Sequence, residues 1–223
     1  MGLIINPYIY AIAGVVPTFQ DDYTTDSGWT QTGTTITVDS IANPNQVKFL
    51  STSGGTTDRV TKSLGVTLSD TLWYAEFDFI FTSGTTIGDD PLFLPFLLSA
   101  GTSDQAGTSQ DGLGFAGYKI GATSSVFMYK KDGASQTSSS GVTITLGTTY
   151  YIRLERTTAT NLKMSVFTDI SRTTHQTGSP INFGISSGTT GLTHIQHATY
   201  SAAGSSSITA SVDNTKIYDN TTP

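Results

Sequence analysis

Glu76 and Asp78, two residues apart, are the nearest this chain comes to a catalytic pair of carboxylates. On a strand they share one face, the placement a glycosidase needs for its nucleophile and its acid. The same placement serves a cross-strand charge ladder, with Glu76, Asp78 and Glu155 facing Arg153 and Lys163, and the ladder is the preferred reading. Residues 112–117 fit G-x-G-x-x-G, but that loop holds a pyrophosphate only when a helix follows, and Tyr118, Lys119 and Ile120 are strand formers. Residues 184–188 fit G-x-S-x-G around Ser186, a nucleophile elbow only at a strand-to-helix turn. His194 and His197 are three apart, so on a strand they point to opposite faces, and His175 is distant in sequence; no histidine metal centre is expected. Cysteine is absent, which removes disulfides, thiolate metal sites and thiol nucleophiles. Asp21, Asp22 and Asp26 cluster early, and Asp89, Asp90, Asp104 and Asp111 in the middle. Asp-rich turns either ligate calcium or cap their own backbone; Asp89, Asp90 and Asp104 are the calcium candidates.

The chain that must position these groups has 223 residues, 11 Lys+Arg against 17 Asp+Glu, and a net charge of -6. Charged residues make up 13%, well under the roughly 25% of ordinary domains. So few cations argue against nucleic-acid binding through phosphates. The 36% of hydrophobic residues suffices for a core, and one domain is the default at this length. Glutamate occurs only twice and no window shows helical periodicity, whereas Thr, Val, Ile, Tyr and Phe between Gly/Ser/Thr/Asp turns predict many short strands.

Alternation is clearest in residues 73–81, with Trp73, Ala75, Phe77, Phe79 and Phe81 on one face. In residues 150–156, Tyr150, Ile152 and Leu154 point in; in 162–169, Leu162, Met164 and Val166 do. Further strands are expected at 35–38, 46–51, 59–64, 92–99, 114–120, 126–130, 142–146, 194–200, 208–212 and 216–218. Residues 92–98 are apolar without interruption, which predicts cover on both faces, and Pro95 within them predicts an edge or a bulge. Residues 3–16 are apolar too, but no Lys or Arg precedes them, Asn6-Pro7 breaks them, and they are too short to cross a bilayer. They read as an extended arm or first strand, pairing with its own sheet or docking on a neighbouring subunit by strand addition.

Residues 146–156 (LGTTYYIRLER) followed by 162–169 (LKMSVFTD) resemble the late hairpin of laminin-G-like domains, and 212–218 (VDNTKIY) resembles their closing strand. With Trp29 and the strand at 73–81, these look like the concanavalin A-like lectin/glucanase superfamily over residues 19–218. The resemblance implies an all-β jelly-roll sandwich of two curved antiparallel sheets. Its glucanases carry Glu-x-Asp-x-(x)-Glu. Glu76 and Asp78 match the first two positions, but Ile80 and Phe81 fill both places open to the last Glu, so the resemblance implies no proton donor and no hydrolase. Residues 111–115 (DGLGF) are similar to the Asp-Gly-Leu-x-Phe of legume-type lectins, whose Asp accepts sugar hydroxyls; the calcium-loop pattern of those lectins is not recognisable. Asp111 is thus a candidate glycan contact, joined by Tyr74, Tyr151 and Phe167, the outward aromatics by strand parity.

The family also occurs in phage and virus structural proteins, which fits an apolar arm and a surface poor in charge. The expected organisation is an arm at 1–17 and a jelly roll at 18–223. The expected function is a non-enzymatic structural or surface protein of a virion or similar particle, located on that particle's surface. Leu3, Ile4, Ile5, Tyr8, Ile9 and Tyr10 would make contacts between copies in a homo-oligomer or with other particle proteins, with surface glycans as further partners. No nucleic acid, membrane insertion or required cofactor is expected. The alternative is a secreted carbohydrate-binding module assisted by calcium, and a laminarinase-type glucanase stands third.

Overall fold

A computed structural model gives the protein as two packed antiparallel sheets, with no helix among the described residues. It describes residues 15–50, 58–85, 91–103, 110–201 and 207–223. The arm residues Leu3, Ile4, Ile5, Tyr8, Ile9 and Tyr10 and the calcium candidates Asp89, Asp90 and Asp104 lie outside them.

In chain order the strands are β1 (Phe19–Asp21), β2 (Thr30–Thr32), β3 (Ile36–Ser40), β4 (Asn43–Phe49), β5 (Arg59–Ser63), β6 (Trp73–Thr85), β7 (Pro91–Ser99) and β8 (Gly112–Ile120). They continue as β9 (Thr123–Asp132), β10 (Ser135–Ser138), β11 (Val142–Ile144), β12 (Thr149–Thr158), β13 (Asn161–Phe167), β14 (Ile181–Gly184), β15 (His194–Ser201) and β16 (Ser207–Asp219). The first sheet runs β14-β13-β12-β6-β16-β4-β3, with β1 added on β16. The second runs β10-β9-β8-β7-β15-β5-β2, with β11 added on β9. This is the expected jelly-roll sandwich.

Alternation builds the core as read. Trp73, Ala75, Phe77, Phe79 and Phe81 of β6 are all buried between the sheets, with Tyr150, Ile152 and Leu154 of β12 beside them. From the second sheet Phe96 stacks on Phe77 at 4.6 Å, and Phe115 meets the same ring edge-on at 5.3 Å. Offset and edge-on pairs of this kind add to the area term in holding the layers in register.

One expectation needs correction, and one pair of alternatives is decided in favour of the bulge. Residues 208–212 and 216–218 belong to one strand, β16, whose register shifts between Asp213 and Lys216 around Asn214 at φ +50°. A bulge absorbs the extra residues without ending the strand. Pro95 lies in an interior strand, between β8 and β15, where the pairing skips it on both sides; the bulge removes the ladder bond that proline cannot donate. Both faces of β7 are buried, as its unbroken apolar run predicts.

The G-x-G-x-x-G string lies within β8, and strand pairing with β9 continues to Ile120. Its glycines answer to packing. A Cβ on Gly117 would meet the Phe93 ring at 2.6 Å, and one on Gly114 would meet the Phe96 carbonyl oxygen at 2.5 Å. Gly117→Ala should therefore cost about 1–3 kcal/mol by overpacking. A urea midpoint equal to that of the wild type would contradict this. The G-x-S-x-G string, by contrast, runs from the end of β14 into a turn, in which the Gly188 amide donates to Ser186 Oγ at 3.1 Å.

Candidate functional site

The outward face of the first sheet carries two rows of side chains set by register. Arg153, Glu76 and Lys216 lie side by side across β12, β6 and β16, and next to them Tyr151, Asp78 and Asp213. The charge ladder is present. Arg153 donates through Nε and Nη2 to Glu76 Oε1 at 2.8 and 2.6 Å, and Lys163 pairs with Glu155 at 2.9 Å.

Arg172 was not anticipated from the sequence. It lies in the loop after β13, where the Asp169 carboxylate accepts from the amides of Thr173 and Thr174 and folds the chain back on itself. Arg172 sits at the turn with φ +53°, its guanidinium 5.7 Å from the Tyr151 ring centroid. Nη2 donates to Asp78 Oδ1 at 3.2 Å, and Nε lies 3.7 Å from Glu76 Oε1. The Asn214 amide donates to the other Asp78 oxygen at 2.8 Å. The one sequence signal for this loop is Asp169 followed by Thr173 and Thr174, a side chain able to cap its own backbone.

These residues wall a groove in two parts. One part, about 250 Å³, is lined by Glu76, Asp78, Ile170, Arg172, Asn214 and Lys216. The other, about 370 Å³, adds Asn45, Gln46, Thr149, Ser211 and Asp213. Asp78 lines both. Ile170, 70% exposed, forms an apolar lip. The groove thus offers carboxylate, amide and hydroxyl acceptors, cationic donors, and apolar contacts from Ile170 and Ile80.

Asp78 and Asp213 stand directly opposite each other, and like charges so placed repel. Burial, with Asp78 and Asp22 nearby, raises the Asp213 pKa against the bond from the Asn214 amide. The folded state then holds this proton more tightly than the unfolded chain, so the group favours folding at low pH and opposes it once pH passes its raised pKa. Asp213→Asn should raise the urea midpoint at pH 7, with the gain closing below the ordinary carboxylate range. A lower midpoint at pH 7 would contradict this.

The other sequence candidates are placed as follows. Tyr74 and Phe167 face outward as parity requires, but they are only 7% and 3% exposed, which corrects their reading as exposed glycan platforms. Tyr74 stacks on Tyr218 at 4.3 Å, Phe167 lies against His175 at 4.5 Å, and the Arg153 guanidinium spans both rings. Tyr151 is half-buried beneath Arg172. Asp111 lies apart from the groove and joins two loops: one oxygen accepts from the Gly133 amide and the other from the Thr190 amide, both at 3.0 Å. Among the described residues no group of three or more His, Cys, Asp or Glu is placed to hold a metal.

The two neighbouring histidines diverge as expected. His194 bonds Thr193 Oγ1, while His197 is fully buried against Tyr23 and Trp29. His197 Nδ1 faces the Pro95 carbonyl and therefore donates; Nε2 must then accept from the Tyr23 hydroxyl at 3.1 Å, and Thr215 donates to the Tyr23 oxygen at 2.6 Å. Nearby, Asp21 is held by Lys62 at 2.8 Å and by the Trp29 indole at 3.1 Å.

No family model and no curated protein matches the chain. Solved structures do resemble it. The Emp47p carbohydrate recognition domain superposes with a TM-score of 0.58 at 11% identity, over 93% of this chain and 97% of that one. The carbohydrate binding module CBM66 from Bacillus subtilis gives 0.50 at 12%, over 86% and 96%. Bacteroides ovatus Xyloglucan PUL GH43B gives 0.55 at 10%, over 92% of this chain, which spans only 39% of that protein. These likenesses show a shared jelly-roll fold, one that carbohydrate-binding proteins also use.

Proposed function

We propose that the protein is a non-catalytic carbohydrate-binding module whose ligand lies in the groove on the outer face of the first sheet. The observation that carries this reading is the placement of Asp78, Asp213, Arg172, Asn214 and Lys216 around two pockets that share Asp78. Sugar hydroxyls both donate and accept, so they suit a wall where carboxylates and amides alternate with cationic donors. Three carboxylates (Glu76, Asp78, Asp213) against Arg153, Arg172 and Lys216 leave the site near neutrality, which favours uncharged glycans over polyanions. One structural neighbour is named a carbohydrate binding module and another a carbohydrate recognition domain, and this supports the same direction.

Hydrolysis is not part of the proposal. Of the two places where a further Glu would supply a proton, Phe81 is buried in the core and Ile80 presents a hydrocarbon to the groove. The particle role expected from the sequence rests on the N-terminal arm and draws no support from the neighbours.

The test is calorimetric titration of the full chain with neutral gluco-, manno- and galacto-oligosaccharides, with and without EDTA. Saturable binding to at least one series, without reducing-end release on long incubation, is the expected result. Absence of binding across all three, or turnover of any, would overturn the reading.

A further inference from the structure

The polar atoms left free in the groove gather in its larger part. In the smaller part the carboxylates are already engaged. Glu76 accepts from Arg153, and the two Asp78 oxygens accept from Arg172 and from the Asn214 side-chain amide. In the larger part Asp213 has one engaged oxygen, Oδ1, which accepts from the Asn214 backbone amide at 2.7 Å. Among the described residues its Oδ2 has no hydrogen-bond partner, and neither has the hydroxyl of Ser211.

Ser211 is the more telling of the two. Its neighbours along β16, Ala210 and Val212, lie in the core, so Ser211 and Asp213 point outward. Ser211 is only 7% exposed, yet it lines the groove. A hydroxyl so nearly withdrawn from water, with no partner in its own chain, costs free energy until something else satisfies it. The direct opposition of Asp78 and Asp213 is a second cost on the same wall. A ligand that brings hydrogen-bond donors relieves both. Ile80 stands next to Ser211 in register and half-buried, and it offers hydrocarbon to the carbon-bound hydrogens of a ring; Thr149 follows it across the sheet. No residue lining this part is cationic, and Lys48 of β4, beside Ser211 in register, has no ion pair among the described residues.

Building on the carbohydrate-binding reading above, we propose that the larger part of the groove is the subsite that selects the sugar, and that it takes a neutral pyranose with two adjacent unsubstituted hydroxyls. One hydroxyl donates to Asp213 Oδ2, and the next exchanges a hydrogen bond with Ser211 Oγ. Residues two apart on one strand face stand about 7 Å from each other. Two successive ring hydroxyls bridge that gap when each lies about 2.8 Å from its partner, the usual length for such bonds. An oxygen that carries a methyl or acetyl group has no proton to give Asp213, so a sugar substituted there is rejected.

The test is calorimetric titration of full-length Ser211→Ala and Asp213→Asn with the neutral gluco-, manno- and galacto-oligosaccharides. Ser211→Ala should weaken binding of the tightest series about 3- to 10-fold, and Asp213→Asn at least about 10-fold. In Asp213→Asn the carbonyl oxygen keeps accepting from the Asn214 amide, so the NH2 group replaces Oδ2 and meets a hydroxyl donor with a donor. The same variant should unfold at a higher urea concentration at pH 7, so its affinity and its stability move in opposite directions. A residue with only a structural role would lose both together. Wild-type affinity in either variant would overturn the subsite and leave the carbohydrate-binding reading standing. Weaker binding by Asp213→Asn together with a lower urea midpoint would overturn the subsite as well. Absence of binding by the wild type to all three series would overturn both.

Discussion

Acidification from pH 6.5 to pH 4 should remove about 3 kcal/mol of folding stability through His197 alone. Burial pushes its pKa from 6.5 down to about 4, against the opposing effects of the Pro95 carbonyl and Asp21. A histidine with a lower pKa folded than unfolded binds its proton first in the unfolded chain. Its stability contribution is thus complete above about pH 6.5 and lost progressively as pH falls to about 4. The groups that face the ring explain why it stays neutral. Nε2 already accepts from Tyr23, so a proton there would set two donors against each other, and the Trp29 ring closes another side. His194 is lowered by burial as well and adds a smaller effect of the same sign. Urea midpoints at pH 7 and pH 4.5 should therefore diverge in the wild type and converge in His197→Phe. The variant should also be less stable at pH 7, because Tyr23 and the Pro95 carbonyl lose a partner. A wild type flat over this range, or an equal slope in the variant, would show that this buried network does not set the acid limit.

The second large effect concerns the groove. Arg172→Ala should weaken oligosaccharide binding by roughly 10- to 100-fold, the loss of a charge-assisted hydrogen bond worth about 1.5–3 kcal/mol. Arg172 bridges the Tyr151 face and Asp78, so it both lines the groove and fixes the carboxylate beside it. The loop itself should survive, since Asp169 and its bonds to Thr173 and Thr174 hold the turn without Arg172. Arg172→Lys keeps the charge but not the planar fork, and should recover only part of the affinity. Full affinity in Arg172→Ala with an unchanged melting temperature would remove the loop from the site.

Much of this architecture is legible in the sequence because it is built on period two. Residues 73–81 and 150–156 announce their inner faces, and the ladder from Glu76 to Arg153 follows from the same parity. Where the signal is short or interrupted it fails. β1, β2, β10 and β14 have three or four residues each, and β2 and β10 carry no apolar side chain. β16 looks like two strands because Asp213-Asn214 has turn chemistry, and only its partners show that it is a bulge. Parity also states which way Tyr74 and Phe167 point but not what lies over them; their cover is Arg153 with Tyr218 and His175, brought in from other strands and from the loop. Arg172 is invisible for the same reason. Its place depends on where a loop folds back, and nothing in a period of two reports that.

Chemical-shift mapping of the full chain, titrated with the tightest-binding neutral oligosaccharide, tests the central claim most directly. The account predicts saturating shifts confined to residues 45–46, 76–80, 149–151, 170–172 and 211–216, around the groove. Shifts centred instead on Asp111 and its two loops, or on the outer face of the second sheet, would contradict it.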